Sequence, residues 1–420
     1  MRKGFKWYIA VLAVLMVFGN VIAVSANGEQ EAANPEEYQL GFMSSLSGIF
    51  AAVAETQKMG MILAVEQFNE KGGLDMPWGK VPITYEVKDA EAKLDVGVRR
   101  FRELQEGGID GFTGTAWNPI SAAINEEMKM NPLPYLAANV PALDSFRKGN
   151  PALGTYSVAF TPWSIGYLSG GAAIEKLGAK KIFWVSRADS WGATQFEGLE
   201  AAIAELGGEV VGFAEYPKGT VDFTAAINKA LEVKPDVFMA CQFGGDAIAL
   251  FKQAYDMGLH KESLLFNTWT TNLVAKGIPA DALKNLYALD FYYWNMEGFE
   301  DASLASKAEE FTAAHRARWN EAPDAYGAIG YMATRVLLEA VEEAGSFETG
   351  AVAAVLDTKT FDTIKGPMAF REDHELLGDY LAFIVKGKTP EEMSSEDDFW
   401  SVEGYFGGDS AMPSLESLGY

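Results

Sequence analysis

Tyr38-Gln39-Leu40-Gly41-Phe42-Met43-Ser44-Ser45-Leu46-Ser47-Gly48 opens the stretch that decides the fold, and Ala64-Val65-Glu66-Gln67-Phe68-Asn69-Glu70-Lys71-Gly72-Gly73 closes it. The apolar run 40–43 reads as a strand, which breaks into a hydroxyl-rich loop. An amphipathic helix over 55–69 follows. This order places free backbone N–H groups and serine hydroxyls at the carboxyl end of a strand, where open α/β sheets bind small ligands.

Upstream, Arg2, Lys3 and Lys6 precede an apolar run from Trp7 to Val24 and the small residues Ser25-Ala26, so residues 1–26 read as a cleavable export signal. Its removal leaves 31 basic against 58 acidic residues, a net charge of −27 in place of −24. Such a chain stays soluble and is repelled by nucleic acid and anionic lipid. No later apolar stretch is expected to cross a bilayer, the densest lying around Leu337 and broken by charges. The single cysteine, Cys241, rules out an internal disulfide and sits in an apolar run, as a buried thiol does. No cysteine stands near Ala26 to take a lipid, which points to a periplasmic location.

Roughly 390 mature residues exceed one hydrophobic core. Short apolar runs at 40–43, 83–88, 111–113, 135–138, 182–185, 209–213, 237–241 and 264–266 alternate with helical patterns, the signature of parallel sheets with crossover helices. Two long helices at 305–319 and 325–344 follow, joined through Pro323, then strand patterns at 366–370 and 380–385. The expected organisation is a flexible leader at 27–37, an N-terminal lobe of 38–160 plus 293–366, a C-terminal lobe of 161–292 plus 367–390, and an acidic C-terminal extension at 391–420. A chain that leaves one lobe, builds a second and returns makes a hinged cleft, in which ligand binding is coupled to closure.

The chemistry of an exported enzyme is missing. There is no G-x-G-x-x-G, P-loop, G-x-S-x-G or H-E-x-x-H pattern, and His260, His315 and His374 are scattered and read as solvated surface. No catalytic residue, metal or cofactor is expected.

In order and spacing, these pieces resemble the type I periplasmic solute-binding proteins, specifically the branched-chain amino-acid (Leu/Ile/Val)-binding family of ABC transporters. The stretches that carry the resemblance are 41–48 with 64–73, Asp89, Gly111-Phe112-Thr113-Gly114, 134–138, Asp222-Phe223, Pro235-Asp236-Val237, 252–258 and 326–345. The resemblance implies two Rossmann-like parallel-sheet lobes joined by crossover strands. It also implies a small molecule held between them and permease subunits in the inner membrane as partners, with no catalysis and a monomeric receptor. A ligand-sensing module for a membrane receptor or kinase would use the same fold, and an exported hydrolase remains a third reading.

If the loops after the strands line the cleft, the first lobe contributes Ser44, Ser45, Ser47, Trp117, Asn118 and Asn139. The second contributes Trp163, Asp189, Trp191, Gln242, Phe243, Asn267 and Trp269. The family usually holds a ligand carboxylate with Ser or Thr near 117–119. Here Pro119 has no N–H to offer and suits the first turn of a helix capped by Asn118. The family commonly has Tyr where Trp191 stands, and its amino-acid binders carry an acidic residue where this chain has neutral Asn267-Thr268-Trp269. Burying an ammonium without a counter-charge is costly. The expected cargo is therefore a small polar or aromatic metabolite, amino-acid-like, amide or carboxylate, and Trp117, Trp163, Trp191 and Trp269 could frame it as an aromatic box.

Overall fold

The computed structural model describes residues 34–138 and 151–420. The expected export signal, 1–26, and most of the expected leader lie outside the described residues. The opening stretch forms β1 (Tyr38–Ser44), buried on nearly every residue as a strand covered on both faces must be. A small hairpin of β2 (Leu74–Met76) and β3 (Gly79–Val81) follows, and then β4 (Ile83–Asp89), β5 (Gly111–Gly114), β6 (Tyr135–Ala137) and β7 (Thr155–Ser157). They make a five-stranded parallel sheet in the order β4-β1-β5-β6-β7.

Five more parallel strands, β8 (Lys181–Arg187), β9 (Glu209–Tyr216), β10 (Val237–Ala240), β11 (Leu264–Asn267) and β12 (Leu286–Asp290), form the second sheet. After β13 (Thr360–Thr363), β14 (Gly366–Phe370) and β15 (Leu376–Gly378) make a separate antiparallel sheet, β16 (Ala382–Gly387) and β17 (Trp400–Phe406) join the second sheet antiparallel. Its order is β17-β16-β12-β11-β10-β8-β9. The acidic stretch after 391 thus supplies an edge strand.

The helices cross over between strands as expected: α1 (Ala51–Glu70), α2 (Leu94–Gly107), α3 (Asn118–Met128), α4 (Pro162–Gly171), α5 (Ser190–Leu206), α6 (Thr224–Val233), α7 (Gly245–Asp256), α8 (Asn272–Gly277), α9 (Ala302–Trp319) and α10 (Ala325–Ala344). By length and composition α1 with its preceding turn could span a bilayer, the feature anticipated nowhere in the chain. It packs instead along α10 in the core. The two helices approach where glycines remove the side chains. A Cβ at Gly60 would stand 2.1 Å from the Gly327 carbonyl oxygen, and one at Gly330 would stand 2.2 Å from that of Gln57. This contact sets Thr56 and Gln57 of α1 beside the first turns of α10.

The chain passes between the two sheets after β7, after β12 and after β15. Phe160 on the first passage stacks on Phe291 of the second, centroids 6.0 Å apart. Lys365, in the turn between β13 and β14, is fully buried and donates to the carbonyls of Phe291 and Leu381, on the second and third passages. Burial holds its ammonium well below the usual lysine pKa, with the nearby charge of Asp290 opposing.

Candidate ligand-binding site

Parallel pairing brings the loops at the carboxyl ends of neighbouring strands side by side. In the first sheet Met43 is level with Gly114, and Gly114 with Ala137, so Ser44-Ser45, Thr115 and Ala138 emerge together. Gln57 from α1 joins them: it accepts from the Ser44 hydroxyl at 2.8 Å and donates to the carbonyls of Thr115, at 3.2 Å, and Ala138. Ser44 is thereby spent on structure. Ser47 is exposed, and its backbone N–H donates to Asp89 at 3.2 Å. Ser45 alone of the three is both buried and without a hydrogen-bond partner among the described residues.

Residue 118 is the first of α3, not its cap. The cap position is Trp117, and Pro119 sits second, where its missing N–H costs nothing. Trp117 stacks on Phe50, 6.3 Å between centroids. Asn139 lies outside the described residues.

In the second sheet Ala240 is level with both Val185 and Asn267, so Ser186 near the end of β8 and the loops beginning at Cys241 and Thr268 lie in a row. Gln242 donates to the Ser186 carbonyl at 2.9 Å, the Asn267 amide to the Trp269 carbonyl at 2.8 Å, and the Thr268 hydroxyl to Gln195 at 2.6 Å. The remaining oxygens of Gln242 and Asn267 are buried without partners among the described residues, a state that a bound ligand or water relieves. Burial pushes the Cys241 thiol up to about 12, so it is inert here.

Above this row stands a cluster of rings. Trp191 meets Trp269 edge to face at 6.5 Å, Trp269 meets Tyr326 at 6.2 Å, and Phe243 meets Tyr326 at 6.1 Å. Phe160 closes the floor against Trp269 at 5.6 Å. The Trp269 indole N–H faces the Tyr326 hydroxyl without closing a well-formed hydrogen bond. Burial, with help from Asp324, keeps that hydroxyl protonated.

Sequence reasoning passed over the charged group of this cluster. Arg187, mostly buried at the end of β8, lies with its guanidinium carbon 5.5 Å from the Trp191 ring centroid, and its charge reaches Tyr326. Its Nε pairs with Asp189 at 2.7 Å, while the other Asp189 oxygen accepts from the Gly192 N–H at 3.3 Å and caps α5. Asp189 thus orients the arginine. A second cation, Lys218, reaches from the loop after β9 to within 5.1 Å of the Phe50 centroid, bridging the two sheets' loops. Burial and the neighbouring Arg187 charge lower its pKa.

The structure therefore brings Trp191, Gln242, Phe243, Asn267 and Trp269 together and sets Trp117 across from them with Phe50. It does not bring Trp163 there. That ring stacks on Tyr167 at 5.0 Å and lines a different depression with Arg371 and Met412. Arg187 and Tyr326 left little trace in sequence, one being a single arginine in a charge-rich chain and the other belonging to a distant helix.

A family model described as periplasmic binding protein matches residues 37–390. The chain is similar to a Leu/Ile/Val-binding protein homolog 7 of Brucella abortus, with 23% identity over 368 residues that cover 84% of this chain and 89% of the relative. Among solved structures it is similar to an amino acid ABC transporter substrate-binding protein from Pseudomonas fluorescens Pf-5, at TM-score 0.82 and 22% identity, covering 92% and 99% of the two chains. A solute binding protein of an ABC transporter from R. palustris, solved in complex with benzoate, superimposes at TM-score 0.75 and 20% identity, covering 90% and 99%. The expectation drawn from 41–48 and the stretches after it is met: the chain belongs to the periplasmic binding protein family, whose members are non-enzymatic solute receptors of ABC transporters.

Proposed function

We propose that the protein is the periplasmic receptor of an ABC importer, that it captures a small planar organic anion, an aromatic carboxylate in the first instance, and that it delivers this cargo to inner-membrane permease subunits. The observation that carries the reading is Arg187 against the Trp191 ring, which meets Trp269 and, through it, Tyr326. A guanidinium takes a carboxylate through two parallel N–H bonds, and indole and phenol faces stack on a flat body. Ser45, Gln242 and Asn267 supply unpaired polar atoms for a ring substituent. The loop 267–269 offers only neutral side chains to an α-ammonium, which disfavours leucine, isoleucine or valine as cargo. The benzoate held by the R. palustris protein of the same fold supports this class of ligand.

A calorimetric titration of the mature protein with benzoate, hydroxylated benzoates and the three branched-chain amino acids tests the proposal. One-to-one binding of an aromatic acid, with a change in tryptophan fluorescence, is expected. Binding of leucine with no response to any aromatic acid overturns it.

A further inference from the structure

Lys218 stands at the corner of a tight turn. Thr220 donates both its N–H, at 3.3 Å, and its hydroxyl, at 2.7 Å, to the Pro217 carbonyl, and Gly219 takes φ +89°, the positive value that this turn asks of its third residue. The Gly219 N–H donates to Asp246 at 2.9 Å, which ties the turn to the start of α7. The backbone around Lys218 is thus fastened twice. Its exposed side chain crosses to Phe50, whose ring stacks on Trp117.

The same turn lies beside Arg187. β8 and β9 pair in parallel with Arg187 level with Tyr216, and the Ala188 N–H donates to the Tyr216 carbonyl at 2.8 Å. Lys218 therefore comes two residues after the arginine's partner, on a strand about 4.8 Å away. Both side chains are open to solvent, that of Arg187 at 14% and that of Lys218 more widely. Among the described residues, no hydrogen bond engages the terminal nitrogens of Arg187, and no hydrogen bond or ion pair engages the Lys218 ammonium.

Burial and then the Arg187 charge lower the Lys218 pKa, so the two cations are near enough to repel. The carboxylates that oppose this are held by other groups. Asp189 serves the Arg187 Nε and the Gly192 N–H, and Asp246 serves the Gly219 N–H. In a chain of 58 acidic and 34 basic residues, a cleft edge with two neighbouring cations focuses anions, and an anion that reaches both relieves their repulsion.

Resting on the function proposed above, we infer that the cargo is a dianion, a planar aromatic dicarboxylate, held by Arg187 at one carboxylate and by Lys218 at the other. Lys218 is then the residue that selects for the second charge.

Calorimetric titration with terephthalate and with its monomethyl ester tests the inference, because the two share a shape and differ by one charge. At low ionic strength the parent should bind terephthalate about tenfold more tightly than the ester, as a hydrogen bond to a charged group is worth. The advantage should shrink at about 0.5 M salt. In Lys218→Met it should fall to near unity, while the ester loses at most about fivefold. An ester that binds the parent as tightly as terephthalate, or an advantage that survives in Lys218→Met, overturns the inference and leaves the cleft as the site of a monoanion. Failure of every aromatic acid to bind overturns the proposed function, and the inference with it.

Discussion

The Lys365 ammonium stands 3.6 Å from the centroid of the Phe291 ring while donating to the Phe291 carbonyl, so one fully buried side chain grips both the face and the backbone of a hinge residue. Its second bond, at 2.6 Å to the Leu381 carbonyl, fastens the third passage to the same point. Replacement by Met keeps the volume and orphans two buried carbonyls. Lys365→Met should lower unfolding free energy by about 2–4 kcal/mol, the desolvation cost of two unsatisfied acceptors less the relief of a buried charge. Urea unfolding measures it, and a variant as stable as the parent would remove Lys365 from this role.

Arg187→Met should weaken binding of an aromatic carboxylate by roughly tenfold to a hundredfold, the loss of about 1.5–3 kcal/mol for a hydrogen-bonded charge. Arg187→Lys should recover little, because a point charge cannot reproduce the flat fork or stack on Trp191. Calorimetry of both variants checks the pair.

Lys218 and Phe50 meet across the mouth. Lys218→Met should speed ligand release about two- to fivefold, the worth of an exposed cation–π contact of about 0.5–1 kcal/mol. Stopped-flow fluorescence should show little change in the association rate.

Burial raises the Asp324 carboxyl from 3.8 to about 6. A carboxyl whose folded pKa lies above its unfolded value favours the fold below the unfolded pKa, and that advantage is lost as pH rises through the folded one. The ionised group therefore costs about 3 kcal/mol near neutrality and nothing at low pH. Asp324→Asn should melt higher than the parent at about pH 8, and the gap should close by about pH 4. A gap independent of pH would show that ionisation of Asp324 is not its source.

Gly60→Ala should destabilise the protein by more than about 2 kcal/mol, because the new methyl meets a backbone oxygen of α10 that cannot step aside.

The strand–loop–helix opening, the alternation of runs and the two long helices were legible because each rests on local periodicity. β7, β12 and β17 were not: three to seven residues long, they owe their strand form to neighbours already in place, as Leu286–Asp290 does between β11 and β16. The site divides the same way. Trp191 and Trp269 follow strands that turn out to be near neighbours in one sheet, whereas Trp163 sits at the start of a helix whose close packing on α5 turns its ring outward, a matter of three dimensions. Tyr326 reaches the cluster only because glycines let α10 settle against α1, and no spacing in the chain announces that.

The burial of Cys241 has a practical corollary. Because the chain has one thiol and that thiol is shielded beneath the strand ends, a Val221→Cys variant, at a position 75% exposed on the same loop as Lys218, would carry the sole group reactive toward a maleimide dye. A fluorophore fixed there would sit on the loop whose Lys218 reaches Phe50, and the molecule could be read as a reagentless optical gauge of its own cargo.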